Sequence, residues 1–185
     1  MIENKLEQEI IQLYDRNLVN LLSINQISKS LNKKYPYINK KVSQLLKDGI
    51  MKKIVVGRSY LCTLDLENPK TVLLLAMFEM NKNKPFMTDN VTEFVDKNSI
   101  QLSVLCVVEY NKRLLFVVND LKDRRVIQRA FPDANVIDKT GFLDILSYEK
   151  ELFTDHTVIY GYENFFSLIK MELQELKKTY SPLKY

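Results

Sequence analysis

Residues 23–64, SINQISKSLNKKYPYINKKVSQLLKDGIMKKIVVGRSYLCTL, constrain this chain more than any other stretch. Ile38, Val42, Leu45 and Leu46 recur three and four apart, the spacing of one apolar stripe on a helix. Pro36 stands at its start, where the missing N–H deprives the helix of no internal bond. Asp48-Gly49 ends it, since glycine takes the left-handed conformation of a helix stop. Lys40, Ser43, Gln44 and Lys47 fall opposite the stripe, and Tyr37, Asn39 and Lys41 lie on its flanks. Upstream, Ser23 offers a hydroxyl cap to a shorter helix, and Asn32-Lys33-Lys34 makes the turn between the two. Downstream, MKKIVV and SYLCTL pair across Gly57-Arg58, a two-residue turn with Gly at its first central position. The expected order is helix, turn, helix, hairpin.

This layout resembles the winged helix-turn-helix family. In particular it resembles the archaeal type whose second helix opens with a Tyr-Pro-Tyr run, as Tyr35-Pro36-Tyr37 do here. The resemblance covers roughly the first third of the chain. It implies that helix 35–47 enters the major groove of double-stranded DNA and that the wing, 51–64, lies along the phosphates. It also implies a core of Ile27 and Leu31 from the first helix of the pair, with Ile38, Val42 and Leu45 from the second.

Charge distribution agrees with that expectation. Residues 1–65 hold 11 Lys+Arg against 6 Asp+Glu, and the remainder 16 against 17. Nine basic residues lie between Lys29 and Arg58 with one acid, Asp48. Such a cluster on a small helical unit is the footprint expected of a phosphate partner. The competing reading is a solvated lysine-rich face.

The candidate contacts separate by chemistry. Lys33, Lys34, Lys52, Lys53 and Arg58 are long cations at the turn and wing, suited to phosphates and indifferent to sequence. Tyr37, Asn39, Lys40 and Gln44 are the base-reading candidates, because Asn and Gln can bond an adenine edge twice and Lys can donate to guanine. Tyr35 and Lys41 complete the expected surface. For Tyr35 and Tyr37, packing at the helix entry is the alternative; for Asn39 and Gln44 it is simple solvation.

Around this stretch, residues 3–21 read as a first helix, with Leu6, Ile10, Leu13 and Tyr14 continuing toward Leu18, Leu21 and Leu22. Asn68-Pro69 marks a boundary. TVLLLAMFEM then reads as a helix apolar nearly all round, hence buried on more than one side, as a bridge between domains or a dimer interface. Residues 81–89 read as a polar, mobile loop, with Thr88 or Asp89 capping a short helix that carries Val91, Phe94 and Val95. LSVLCVVEY and RLLFVVND are apolar, β-branched runs joined at Asn111-Lys112, the pattern of a central hairpin. A helix over 121–131, a strand at 135–138, a helix opened by Lys139 or Thr140, an apolar strand at HTVIYG and a long amphipathic helix stopped at Ser181-Pro182 follow. The fold class is therefore α+β, in three parts: a DNA-binding domain (1–66), a linking helix and loop (67–87) and a small α/β domain (88–185) for dimerisation or sensing.

The order of elements in the second domain resembles the small nucleotidyltransferase-like domain fused to such modules in archaea. The active family needs a Gly-Ser loop after its first strand and a carboxylate pair on its second to hold Mg²⁺. Tyr110-Asn111-Lys112-Arg113 supplies neither Gly nor Ser, and Asp120 and Asp123 follow the strand instead of opening it, so a degenerate relative is expected. The single histidine, His156, reads as a capping or surface residue. With no nucleophile, metal or P-loop motif, no enzyme activity, metal or cofactor is expected. Cys62 and Cys106 sit in apolar runs without metal spacing and read as buried, reduced thiols.

No apolar run approaches the ~20 residues that span a bilayer, and the polar, acidic MIENKLEQEI is unlike a secretory signal. A cytoplasmic location without membrane contact is expected. The function that follows is sequence-specific binding of double-stranded DNA by a transcription regulator acting as a homodimer, which would gain avidity on a two-fold operator. The alternatives are a winged helix used for protein contact, an RNA-binding module, and the degenerate nucleotidyltransferase-like protein.

Overall fold

In the computed structural model, which describes residues 5–57, 59–82, 88–149 and 151–179, the chain is α+β. It divides at Phe78/Glu79 into two units.

The first unit runs α1 (Lys5–Asp15), α2 (Ile24–Ser30), α3 (Tyr35–Lys47), the hairpin β1 (Met51–Val56) and β2 (Ser59–Leu64), then α4 (Pro69–Asn81), which carries the division near its end. Helix α1 stops six residues short of the expected 21. Asparagines end it: the Asn17 side chain accepts from Val19 N at 3.2 Å, and Asn20 Nδ2 donates to the Leu13 carbonyl at 2.9 Å. Leu22 then pairs in both directions with Cys62, at 3.1 and 2.8 Å, as a one-residue third strand on the hairpin. The apolar spacing through Leu18 and Leu22 thus spans two structures, and Leu21 is exposed.

Helix α2 opens with a reciprocal cap: Ser23 Oγ accepts from Gln26 N, and Gln26 Oε1 accepts from Ser23 N. Asn32, at φ +51°, turns the chain, and Ser28 Oγ donates to the Lys33 carbonyl at 2.6 Å. Helix α3 ends at Asp48 and Gly49, whose φ is +70°. Asn68 Nδ2 donates to the Gly49 carbonyl at 2.8 Å, and a Cβ on residue 49 would stand 2.9 Å from that nitrogen. The hairpin register runs from Met51↔Leu64 to Val56↔Ser59. Ile10, Ile11, Tyr14, Ile27, Ile38, Val42, Leu45 and Cys62 are all buried in this unit. Burial on α4 follows Thr71, Leu75 and Glu79, while Leu73, Met77 and Met80 are more than half exposed. The expected burial on several sides is therefore one-sided, and its inner stripe includes an acid.

The second unit holds α5 (Thr88–Lys97), β3 (Val104–Tyr110), β4 (Arg113–Val118), a 3₁₀ turn at Leu121–Asp123, α6 (Arg124–Ala130), β5 (Asn135–Asp138), α7 (Lys139–Tyr148), α8 (Glu151–Thr154), β6 (His156–Tyr160) and α9 (Tyr162–Thr179). The sheet order is β5-β4-β3-β6, with β4 and β5 parallel and the other pairs antiparallel. The β3–β4 hairpin is central, as expected. Its turn places Asn111 and Lys112 at φ +48° and +59°, the paired left-handed geometry that matches strand twist. One sheet face, through Val107, Phe116, Val118, Val136 and Ile159, packs with Val91 and Val95 of α5 and Ile127 of α6. The alternate residues Cys106, Leu115, Val117 and Val158 are buried toward the other face. Helices α7 and α9 contact the sheet there, where Phe142, Phe165 and Phe166 meet edge to face. Helix α7 opens at Lys139, within the expected bounds, and is capped by Asp138, which accepts from Gly141 N at 2.8 Å. Thr88 and Asp89 already belong to α5, and the rest of the expected loop lies largely outside the described residues, as does the expected stop at Ser181-Pro182. Cys62 and Cys106 are buried and unpaired, with both thiols pushed up by burial. No helix among the described residues is long and apolar enough to cross a membrane.

Candidate nucleic-acid interface

Helix α3 turns Ile38, Val42 and Leu45 inward. At about 100° per residue, the opposite face carries Pro36, Lys40, Ser43, Gln44 and Lys47, every one exposed. The helix itself contains no carboxylate. Asp48 follows it and accepts from Gln44 Nε2 at 3.0 Å through each oxygen. Such an exposed pair one turn apart is worth a few tenths of a kcal/mol, so the Gln44 amide can exchange it for another acceptor.

At the helix entry, Tyr35 and Tyr37 are 48% and 65% exposed. Neither ring is packed away, and Tyr37 forms part of a groove of about 560 Å³ with Leu6, Glu9, Asn32, Lys33 and Lys34. Lys34 is exposed and precedes the first turn without a side-chain cap bond. Lys33 is exposed too, its Nζ 3.9 Å from Glu9. Asn39 is half-buried on the flank.

The remaining cations differ in their partners. Lys41 Nζ lies 2.9 Å from Glu7 Oε1, with the side chains 26% and 13% exposed, so it faces α1 and is neutralised there. Lys52 Nζ lies 2.8 Å from Asp65 and 3.9 Å from Glu67 at the base of the hairpin. Lys53 is exposed, with its ammonium 4.5 Å from the centre of the Tyr60 ring. Arg58 lies outside the described residues. Beside it on the hairpin, Val55 and Val56 are 76% and 55% exposed. The structure therefore brings Lys34, Tyr35, Tyr37, Lys40 and Gln44 onto the open side of α3 and its entry. It gives Lys41 and Lys52 carboxylate partners that sequence reading did not find.

The acids and the histidine weighed for chemistry in the second unit have structural engagements. Asp120 accepts from Lys122 N at 3.0 Å and caps the 3₁₀ turn. Asp123 Oδ2 accepts from Ser103 N and Oγ at 2.7 and 2.8 Å. His156 is not at the surface: it opens β6 facing inward, its side chain 1% exposed, with its ring 4.9 Å from that of Phe165. Its Nε2 lies 3.4 Å from Oε1 of the fully buried Glu79. Glu79 also pairs with Lys82, and its Oε2 accepts from Val158 N at 2.9 Å. Burial alone would raise the Glu79 carboxyl, but His156 and Lys82 outweigh it and hold the group below the usual carboxylate value. The signal for this cluster was a lone acid inside an apolar helix.

No protein-family model matches this chain, and no curated protein matches it in sequence.

Proposed function

We propose that the first unit is a winged helix-turn-helix that binds double-stranded DNA, and that the chain is a transcription regulator. In this reading α3 enters the major groove and the β1–β2 hairpin follows the phosphates. The observation that carries it is the open face of α3: Lys40, Gln44 and Lys47 exposed on a helix without a carboxylate, beneath an entry that exposes Tyr35 and Tyr37. A convex helix with amide and ammonium donors on its outer side suits base edges in a major groove. Lys34 and Lys53 are the cations best disposed toward phosphates. The second unit serves as a dimerisation or sensing module on this reading.

A protein-contact role has one observation in its favour, the exposure of Val55 and Val56 on the hairpin. The same experiment separates the two: selection of a random-sequence duplex library with the full chain at two salt concentrations. An enriched two-fold motif is expected, and Lys40→Ala or Gln44→Ala should relax preference at their positions by about 1–3 kcal/mol. Enrichment without symmetry would remove the dimer. Absence of binding at low salt would remove DNA and leave the protein-contact role.

A further inference from the structure

Lysine outnumbers arginine 21 to 6 in this chain, yet three of the six arginines, Arg124, Arg125 and Arg129, lie on α6. They do not share one task. Arg124, though exposed, reaches β5, its Nε and Nη2 donating to the Val136 carbonyl at 3.3 and 2.7 Å, and so fastens α6 to β5. Arg125 and Arg129 point away. Ile127 is fully buried, and at about 100° per residue Arg125 and Arg129 fall on the opposite side of α6; both are exposed, as is Lys122 in the preceding 3₁₀ turn. Among the described residues Arg125 and Arg129 have no carboxylate partner. Lys122 has one, Asp120 at 3.2 Å, in a pair with side chains 88% and 49% exposed, which is worth little against water.

Arg125 and Arg129 stand one turn apart, about 6 Å along the helix axis. A duplex strand presents one phosphate per about 3.4 Å of axis, so two guanidinium groups at that separation can each meet a separate phosphate. Guanidinium is the group that bonds phosphate oxygens in a fork, and the enrichment of arginine here in a lysine-rich chain follows that chemistry. We propose that the outer face of α6, through Arg125 and Arg129 and with Lys122 of the preceding turn, is a second backbone contact for double-stranded nucleic acid, borne by the second unit. The inference rests on duplex binding by the first unit and adds a contact that carries affinity without sequence preference.

The test is a salt titration of binding by the full chain, on its selected duplex and on a random one, with R125Q/R129Q. Both side chains are exposed, Arg124 is left in place, and thermal melting checks the fold. K112Q/K139Q, which removes equal charge from exposed positions elsewhere on the unit, is the control. R125Q/R129Q should lower the slope of log K against log salt by about 1.8, at about 0.9 per phosphate contact, equally on both duplexes. The control should keep the wild-type slope, and Lys40→Ala should still alter preference. A wild-type slope in R125Q/R129Q, or an equal fall in the control, overturns the α6 contact while leaving the first-unit reading intact. If the wild type binds no duplex at low salt, both fall together.

Discussion

Glu79→Gln tests a carboxylate buried on the inner stripe of α4. Glu79 is fully buried, and its oxygens divide their work: Oε1 faces His156 and Lys82, while Oε2 accepts from Val158 N at 2.9 Å. Removing one partner of a buried charge pair typically costs about 3–5 kcal/mol. Two features reduce that here. Glutamine keeps an oxygen for Val158, and Lys82, with its side chain 29% exposed, can return to water. We expect a loss of about 2–3 kcal/mol, which for a chain of this length lowers the melting temperature by roughly 4–12 °C. The pH dependence gives the sharper signature. The folded carboxyl is held below its ordinary value, so its stabilisation is complete above the unfolded value, near pH 4.5, and disappears as pH falls through the folded one. Wild type and variant should therefore differ most at neutral pH and converge in acid. Circular dichroism melts at pH 7 and through the acid range check this. Equal melting at pH 7, or a gap that stays constant into acid, would refute an ionised Glu79 as the stabilising partner.

Other substitutions address single contacts. Gly161 links β6 to α9 at φ +69°, where a Cβ would collide with the Leu105 carbonyl oxygen and stand 2.9 Å from Cys106 Cα; Gly161→Ala should cost about 2–4 kcal/mol in urea unfolding. Tyr14 Oη donates to the Cys62 carbonyl at 3.1 Å, and that oxygen keeps its bond from Leu22 N when the hydroxyl is removed. Tyr14→Phe should therefore cost only about 0.5–1.5 kcal/mol, read from the shift in the urea midpoint. Glu7→Gln should release Lys41 and raise the salt slope of duplex binding by about 0.9; an unchanged slope would show that the freed lysine reaches no phosphate.

Much of the secondary structure was legible because it is local. The stripe Ile38, Val42, Leu45, the Ser23 cap and the Gly49 stop each act within a turn or two, and the hairpin at Asn111-Lys112 follows from two β-branched runs. The errors fall where distant segments decide. Residues 16–22 have helical spacing, but Leu22 finds Cys62, 40 positions away, and becomes strand. His156 beside Asp155 reads as a capping or surface residue, yet strand alternation turns it onto Phe165 and Glu79.

The candidate interface shows the same division. The sequence by itself determined that residues 23–64 form a basic helix–turn–helix and hairpin, since periodicity, caps and turn residues are short-range properties. It also determined that Lys40 and Gln44 lie opposite the apolar stripe, which helix geometry alone dictates. Only the tertiary structure decided which cations are neutralised. Lys41 meets Glu7 across 34 positions and Lys52 meets Asp65 across 13, while Lys40 meets no acid among the described residues. An ion pair depends on distance in space, and spacing along the chain fixes that distance only within a single element.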